Sequence, residues 1–137
     1  LYGMKVTFYK YQGAGNDFIM IDNREGLFPK EDAVLINKLC DRRFGIGADG
    51  LILLENDTDC DFNMVYFNAD GNEGSLCGNG GRCTVAFAKF LKIIETSTCF
   101  RATDGLHNAT IVGNIVDTEN SKLRTLKKKD LLSLIGL

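Results

Sequence analysis

The residues best suited to chemistry in this chain lie between Asn68 and Arg82. Cys77-Gly78-Asn79-Gly80-Gly81 sets a thiol at the mouth of a glycine-dense run that opens into an apolar segment. If that segment is a helix, the unpaired N–H groups and the dipole at its N-terminus favour negative charge. They can hold a carboxylate, and they lower a thiol's pKa from about 8.5, so that a thiolate becomes available as a base. The bland alternative is a buried cysteine closing a tight turn. Gly71, Gly74, Gly78, Gly80 and Gly81 tilt this stretch toward function, because glycine adopts backbone conformations that other residues resist.

Asn16 and Asn68 each stand close to an aspartate at an expected strand end. Their amides offer donors and acceptors that could grip the polar groups of an amino acid, although turn formation alone also explains both. Cys83 reads as core filler inside the helix, and Cys40, Cys60 and Cys99 read the same way. The odd count of five cysteines, without CxxC spacing, fits free thiols in a reducing compartment better than disulfides. With His107 as the single histidine, no zinc ligand set is apparent. That histidine reads as a satisfied or surface residue on a strand.

Two further motifs are set aside on their context. Gly45-Ile46-Gly47-Ala48-Asp49-Gly50 matches G-x-G-x-x-G, but a dinucleotide fingerprint follows a strand and opens a helix, whereas here a helix precedes and a strand follows. A structural turn is the better reading. Asp57, Asp59 and Asp61 begin like a calcium loop, yet Phe62 replaces the required glycine and Asn68 stands where a bidentate glutamate belongs.

The elements that must position these groups follow from periodicity. Lys5 to Tyr11 alternates, Gly13-Ala14-Gly15-Asn16-Asp17 breaks it, and Phe18 to Ile21 resumes, giving strand, turn, strand. Pro29 and the acidic Glu31 and Asp32 start a helix of about three turns ending near Arg43. Leu51–Leu54 and Phe62–Phe67 form a hairpin across a polar turn. Arg82 to Ile94 is a helix apolar on most sides, with a polar stripe at Arg82, Lys89 and Lys92, so other elements must wrap it. Strands follow at 98–102, 106–112 and 115–118. The fold class is therefore α+β, with many antiparallel strands around one buried helix.

A chain of 137 residues is one ordinary domain, able to bury about two-thirds of its unfolded surface. Its net charge of −2 provides no field that would gather nucleic acid, and no apolar run approaches a membrane span. A cytoplasmic protein is expected, starting naturally at Met4. Residues 121–137 hold five basic residues and one acid, against 11 and 17 in residues 1–120, so composition shifts at Ser121. Leu123, Leu126, Leu131, Leu134 and Ile135 could line one face of a terminal helix beside Lys127-Lys128-Lys129, either solvated or docking a partner.

Four ordered motifs carry a resemblance: Gly13-Ala14-Gly15-Asn16-Asp17-Phe18, Asp41 through Gly50, Phe67-Asn68-Ala69-Asp70-Gly71-Asn72-Glu73, and Cys77-Gly78-Asn79-Gly80-Gly81-Arg82-Cys83. In that order the chain resembles the diaminopimelate epimerases from about Met4 to Asp117. Proline racemases and phenazine-pathway isomerases share the fold, but this motif combination points away from them. The resemblance implies a largely antiparallel, curled sheet around a central helix, and a cofactor-independent epimerase of bacterial lysine and peptidoglycan synthesis. It would convert ll-diaminopimelate to the meso form with two cysteines, one removing the α-proton and the other delivering a proton to the opposite face. By the motif match Cys77 is the first of these. Asn16, Asn68, Gly78 and Asn79 would bind substrate, and no metal or other cofactor is implied.

The departures from that pattern are equally specific. The family enzyme has two similar lobes with the site between them, and residues 4–120 correspond to the first. The second lobe, with its own cysteine, has no counterpart in 121–137, which reads as a divergent basic tail from a truncation, a frameshift or an isolated lobe. A glutamine that contacts substrate in some members falls at Gly50. The expectation is thus one lobe of an epimerase, inactive or incomplete alone because inversion needs a proton donor on each face, and completed by a second lobe or by pairing as a homodimer. The alternative is a non-catalytic binding or assembly lobe.

Overall fold

The first hairpin sets the geometry of the rest. In the computed structural model, which describes residues 5–75, 78–113, 115–118, 121–124 and 127–130, strand β1 (Tyr9–Gly13) turns directly into β2 (Asn16–Asp22). The two turn residues, Ala14 and Gly15, both have positive φ (50° and 90°), the geometry whose twist matches a tight antiparallel hairpin. The chain then forms α1 (Ala33–Cys40), β3 (Gly50–Glu55), β4 (Phe62–Asn68), α2 (Gly78–Phe90), β5 (Ser97–Ala102), β6 (Gly105–Val112) and β7 (Ile115–Thr118). Two short strands, β8 (Ser121–Arg124) and β9 (Lys127–Asp130), complete it.

All the described strands join one sheet in the order β8-β7-β6-β5-β4-β3-β2-β1-β9. Pairing is largely antiparallel, with parallel pairs at β2–β3 and β4–β5, the two places where a helix makes the crossover. Helix α2 touches β1, β2, β3, β4, β6, β7 and β8, which is possible only because the sheet curls around it. The ends of the sheet also approach one another. Strands β8 and β9 lie at opposite ends of the order, yet Arg124 and Lys127 are three residues apart and so within about 11 Å.

Side-chain alternation splits the interior in two. Phe18, Met20, Ile52 and Leu54 face α2, where they pack with Cys83, Val85, Phe87 and Ala88. Ile19, Ile21, Leu51 and Leu53 face the other way, onto Ile36 and Cys40 of α1. The unbroken apolar run Leu51–Leu54 is therefore a strand covered on both faces. Around α2, Phe87 meets Tyr9 and Tyr11 at ring-centroid distances of 5.4 and 5.6 Å.

Several elements differ from the sequence expectation, each for a local reason. Helix α1 has two turns, not three, because its N-cap is Asp32, whose carboxylate accepts from Leu35 N at 3.0 Å, rather than Pro29. It stops at Cys40 because Asp41 Oδ1 accepts from both Arg43 N and Phe44 N, starting a separate turn. Helix α2 begins at Gly78, so the glycines expected to form a loop are its first turn. It ends before Ile94 because Lys92 takes φ 63°, with Lys92 N bonded to Lys89 O and Ile93 N to Ala88 O. Arg82, assigned to the polar stripe, is only 6% exposed.

The tail helix is not formed in the part described. Residues 121–124 pair with β7 and residues 127–130 with β1, adding strands to two sheet edges in place of a helix. Leu126, Leu131, Leu134 and Ile135 lie outside the described residues. Cys60 and Cys99, expected as free thiols, are joined as a disulfide with their Cα atoms 5.2 Å apart. The parallel pairing of Phe62 with Phe100 brings the two cysteines to neighbouring chain positions, which spacing along the sequence does not reveal.

Candidate functional site

The strand directions gather the motif residues at one end of the sheet. Strand β2 begins at Asn16, β3 runs parallel to it from Gly50, and antiparallel β4 ends at Asn68, which is the register partner of Gly50. Two strand spacings and two residues of rise put the Asn16 and Asn68 backbones about 12 Å apart. The N-terminus of α2 arrives at the same place. Asn79 Nδ2 donates to Asn16 Oδ1 at 2.6 Å, joining residues 63 apart in sequence.

Asn16 is held from its other side as well. Its Nδ2 donates to Asp49 Oδ2 at 3.1 Å, and Asp49 Oδ2 also accepts from Asp17 N. Asn79 in turn accepts from the Arg82 guanidinium. Arg82 packs beneath the first residue of its own helix: a Cβ at Gly78 would lie 3.4 Å from its Nη1. Gly78 is exposed and Asn79 half-buried, with Gly80 and Gly81 buried behind them. Cys77, the sequence-predicted thiol, lies outside the described residues, immediately before α2.

Asn68 sits at the mouth of a loop that folds back on β4. Its N–H donates to Asn72 O and its carbonyl accepts from Gly71 N, both at 2.9 Å, while Gly74 N donates to Tyr66 O. Gly71 has φ 95°, and a Cβ there would meet the Ala33 carbonyl oxygen at 2.1 Å, so the loop lies flat on the start of α1. A Cβ at Gly74 would lie 2.7 Å from Asn68 Nδ2.

Sequence reasoning missed two parts of this end. The first is a set of four charges linking the motifs. Arg42 donates to Asp17 at 3.1 and 2.8 Å and to Asp49 Oδ1 at 3.0 Å, while buried Lys10 donates to Asp17 Oδ2 at 2.9 Å and to Gly47 O. Burial alone would push the Asp17 carboxyl up. The hydrogen bonds and charges of Arg42 and Lys10 outweigh it and hold that group well below the usual carboxylate range. The available signal was a lysine alternating into a covered strand face and an aspartate in each glycine motif.

The second is Tyr66, whose ring lies between two glycines. A Cβ at Gly50 would stand 2.5 Å from Tyr66 Cε1 and 3.0 Å from its hydroxyl, and one at Gly74 would stand 3.0 Å from Cε2. Phe18 closes over the ring at 6.1 Å. A glycine opening an otherwise bulky strand was the signal.

The remaining thiols and the histidine behave as expected. Cys40 is buried, and burial pushes its thiol up to about 11. Cys83 is fully buried against Gly13. His107 bonds Asp104 at 2.7 Å and stacks on Phe100. Gly45–Gly50 is a structural turn: a Cβ at Gly45 would lie 2.0 Å from the Lys38 carbonyl, and Gly47 has φ 85°. Among the described residues no helix is long and apolar enough to cross a membrane.

Comparison with known proteins gives this arrangement its family. The profile described as Diaminopimelate epimerase matches residues 8–123. The chain belongs to the diaminopimelate epimerase family. It is 71% identical over 106 residues to the diaminopimelate epimerase of Flavobacterium psychrophilum, covering 77% of this chain and 41% of that protein. With the Chlorobaculum tepidum protein of the same name, identity is 48% over 118 residues, covering 86% and 45%. The chain thus spans less than half the length of these curated relatives. Among solved structures, a PhzF-family phenazine biosynthesis protein of Bacillus anthracis matches with a TM-score of 0.66 at 21% identity, over 84% of this chain and 40% of that one. A hydroxyproline epimerase of Agrobacterium vitis matches with a TM-score of 0.54 at 16% identity, over 90% and 41%. At such identities these two likenesses show the shared fold.

Proposed function

We propose that this chain is the first lobe of a diaminopimelate epimerase, residues 4–120 forming the lobe and 121–137 a divergent tail. The reaction is cofactor-independent inversion of one α-carbon of ll-diaminopimelate to the meso form in the cytoplasm, for lysine and peptidoglycan synthesis. Cys77 is the thiol that this chain contributes. As thiolate it takes the α-proton, the C–H electron pair moves into the substrate carboxylate, and a thiol on the opposite face delivers a proton to the α-carbon. That second thiol belongs to a second lobe, which fits matches confined to 39–45% of the first three relatives.

The observation that carries the reading is the Asn16–Asn79 hydrogen bond at the start of α2. It brings two of the four family motifs together at the N-terminus of a helix that begins with the residue after Cys77. The unpaired N–H groups of a helix's first turn stabilise charge that develops on a carboxylate as the proton leaves. Asn16, Asn68, Gly78 and Asn79 are the substrate-binding residues, and Cys77 the catalytic one.

The test is α-proton exchange of ll-diaminopimelate in deuterated water with reduced protein, followed by NMR with stereochemical analysis. A lone thiolate returns solvent deuterium from the face it attacked. The expected result is therefore Cys77-dependent exchange with retention, and inversion only when a second lobe is supplied. Exchange unchanged in Cys77→Ala overturns the assignment of Cys77. A folded protein that binds diaminopimelate without exchanging it is a non-catalytic binding lobe.

A further inference from the structure

An amide side chain looks the same from both ends until its partners decide which end is which. Asp49 accepts only, so Asn16 must turn Nδ2 toward it, and the 3.1 Å contact is then N–H to carboxylate. That leaves Asn16 Oδ1 toward Asn79, which must present its own Nδ2 at 2.6 Å. Asn79 Oδ1 is then toward Arg82, a donor without acceptor capacity. The run Asp49–Asn16–Asn79–Arg82 therefore has one direction, from an anion to a cation. Each amide keeps one N–H outside the run. Asp49 is itself held, since its other oxygen accepts from Arg42 and its backbone N–H donates to Asp17.

We propose that Asp49 is a positioning residue: it fixes the orientation of the Asn16 amide and, together with Arg82 at the other end of the run, holds that of Asn79, so that both offer an N–H to the ligand. The ligand side rests on the proposed epimerase reading, whereas the orientation does not. Asp49 sits in the glycine turn before β3, and Asn79 does not touch it. Its effect on Asn79 passes through Asn16 alone, and that gives a readout which a merely structural role would not move.

The experiment compares wild type with Asp49→Ala and the isosteric Asp49→Asn. The first measurement is NMR of the Asn side-chain NH2 groups. In wild type one Asn16 Nδ2 proton is shifted downfield and exchanges slowly with water. In Asp49→Ala the Asn16 pair loses that signature and the Asn79 pair moves with it. In Asp49→Asn, which can donate as well as accept, the Asn16 pair shows flip exchange, while Arg82 keeps Asn79 Oδ1 toward itself and the Asn79 pair shifts without flipping. The second measurement is diaminopimelate α-proton exchange, expected to fall about 10- to 100-fold in both variants, the loss typical of a charge-assisted hydrogen bond. For Asp49→Asn that loss comes with only a small fall in the urea midpoint, because the Arg42–Asp49 pair it weakens is exposed. Unmoved Asn79 resonances in both variants overturn the proposal. So does full exchange activity in folded Asp49→Asn. If wild type exchanges no α-proton, the lobe alone carries no exchange chemistry, and the Asn79 resonances alone decide the orientation.

Discussion

Asp17→Asn is the sharpest test of how the two glycine motifs are held together. The substitution keeps the shape and removes one charge, leaving Lys10 and Arg42 with a neutral partner. The Arg42 side chain is 59% exposed, so its ion pair contributes only about 0.5–1 kcal/mol. The Lys10 side chain is 11% exposed, and stranding a buried ammonium costs about 3–5 kcal/mol. Asp17 itself keeps 22% exposure and the Gly47 carbonyl still accepts from Lys10, so about 2 kcal/mol is the better figure for that pair. The expected loss at pH 7 is about 2–3 kcal/mol, or roughly 6–15 °C in Tm. Because the folded-state pKa of Asp17 is depressed, its contribution is present above the unfolded value of about 3.9 and is lost as pH falls. The gap between wild type and variant, measured by urea unfolding, should be constant from pH 8 to 5 and narrow by about 1 kcal/mol at pH 3. A gap below 0.5 kcal/mol at pH 7 (roughly an exposed pair alone), or one unchanged at pH 3, refutes the buried-pair reasoning.

Gly71→Ala should cost about 2–4 kcal/mol in chemical denaturation, because it combines φ 95° with a 2.1 Å approach to the Ala33 carbonyl oxygen, which cannot rotate away. Gly50→Ala should cost about 1–3 kcal/mol and shift the Tyr66 ring resonances, since its Cβ would overlap both the ring and the Phe67 carbonyl oxygen; unchanged Tyr66 shifts would show that the ring is not seated there. Phe87→Ala, removing the aromatic centre of the α2 packing, should cost about 3–5 kcal/mol by the same assay. Peptide mapping after alkylation without reductant should leave Cys60 and Cys99 linked and unlabelled; labelling of both would exclude the crosslink.

Local signals carried most of the fold. Period-2 alternation and turn residues located the strands from β1 to β7 within a few positions, and an apolar-all-round segment correctly announced a helix wrapped by a sheet. The misplaced boundaries all sit where a single side chain or backbone angle decides. Asp32 outcompetes Pro29 as the start of α1, and Lys92 ends α2 in a conformation that composition does not foreshadow. The four glycine-run residues at the head of α2 illustrate the limit of propensity. Gly80 and Gly81 are poor helix formers, yet they are buried within the first turn of α2, and tertiary context overrides intrinsic preference. The strand pairing of residues 127–130 was illegible for a different reason: it depends on an open edge at β1, more than a hundred residues earlier.

At the site, the residues were legible as types but their partnerships were not. Asn16 and Asn68 each looked explicable as turn formers, and each does end a strand. What separates the readings is a contact over 63 residues, Asn79 to Asn16, and another over 33, Asn16 to Asp49. The aspartates of the two glycine motifs form, with Lys10 and Arg42, a set of two positive and two negative charges that compensate one another, which their place in the sequence does not reveal. That compensation has a chemical consequence. A strong uncompensated charge beside Asn16 would itself attract or repel a zwitterionic amino acid. Under the proposed epimerase reading, a balanced cluster leaves recognition at this end of the sheet to directed amide N–H groups and to the head of α2, which act through orientation. Asn16, joined to the charge cluster on one side and to α2 on the other, is the link through which that rigidity would reach a ligand under the same reading.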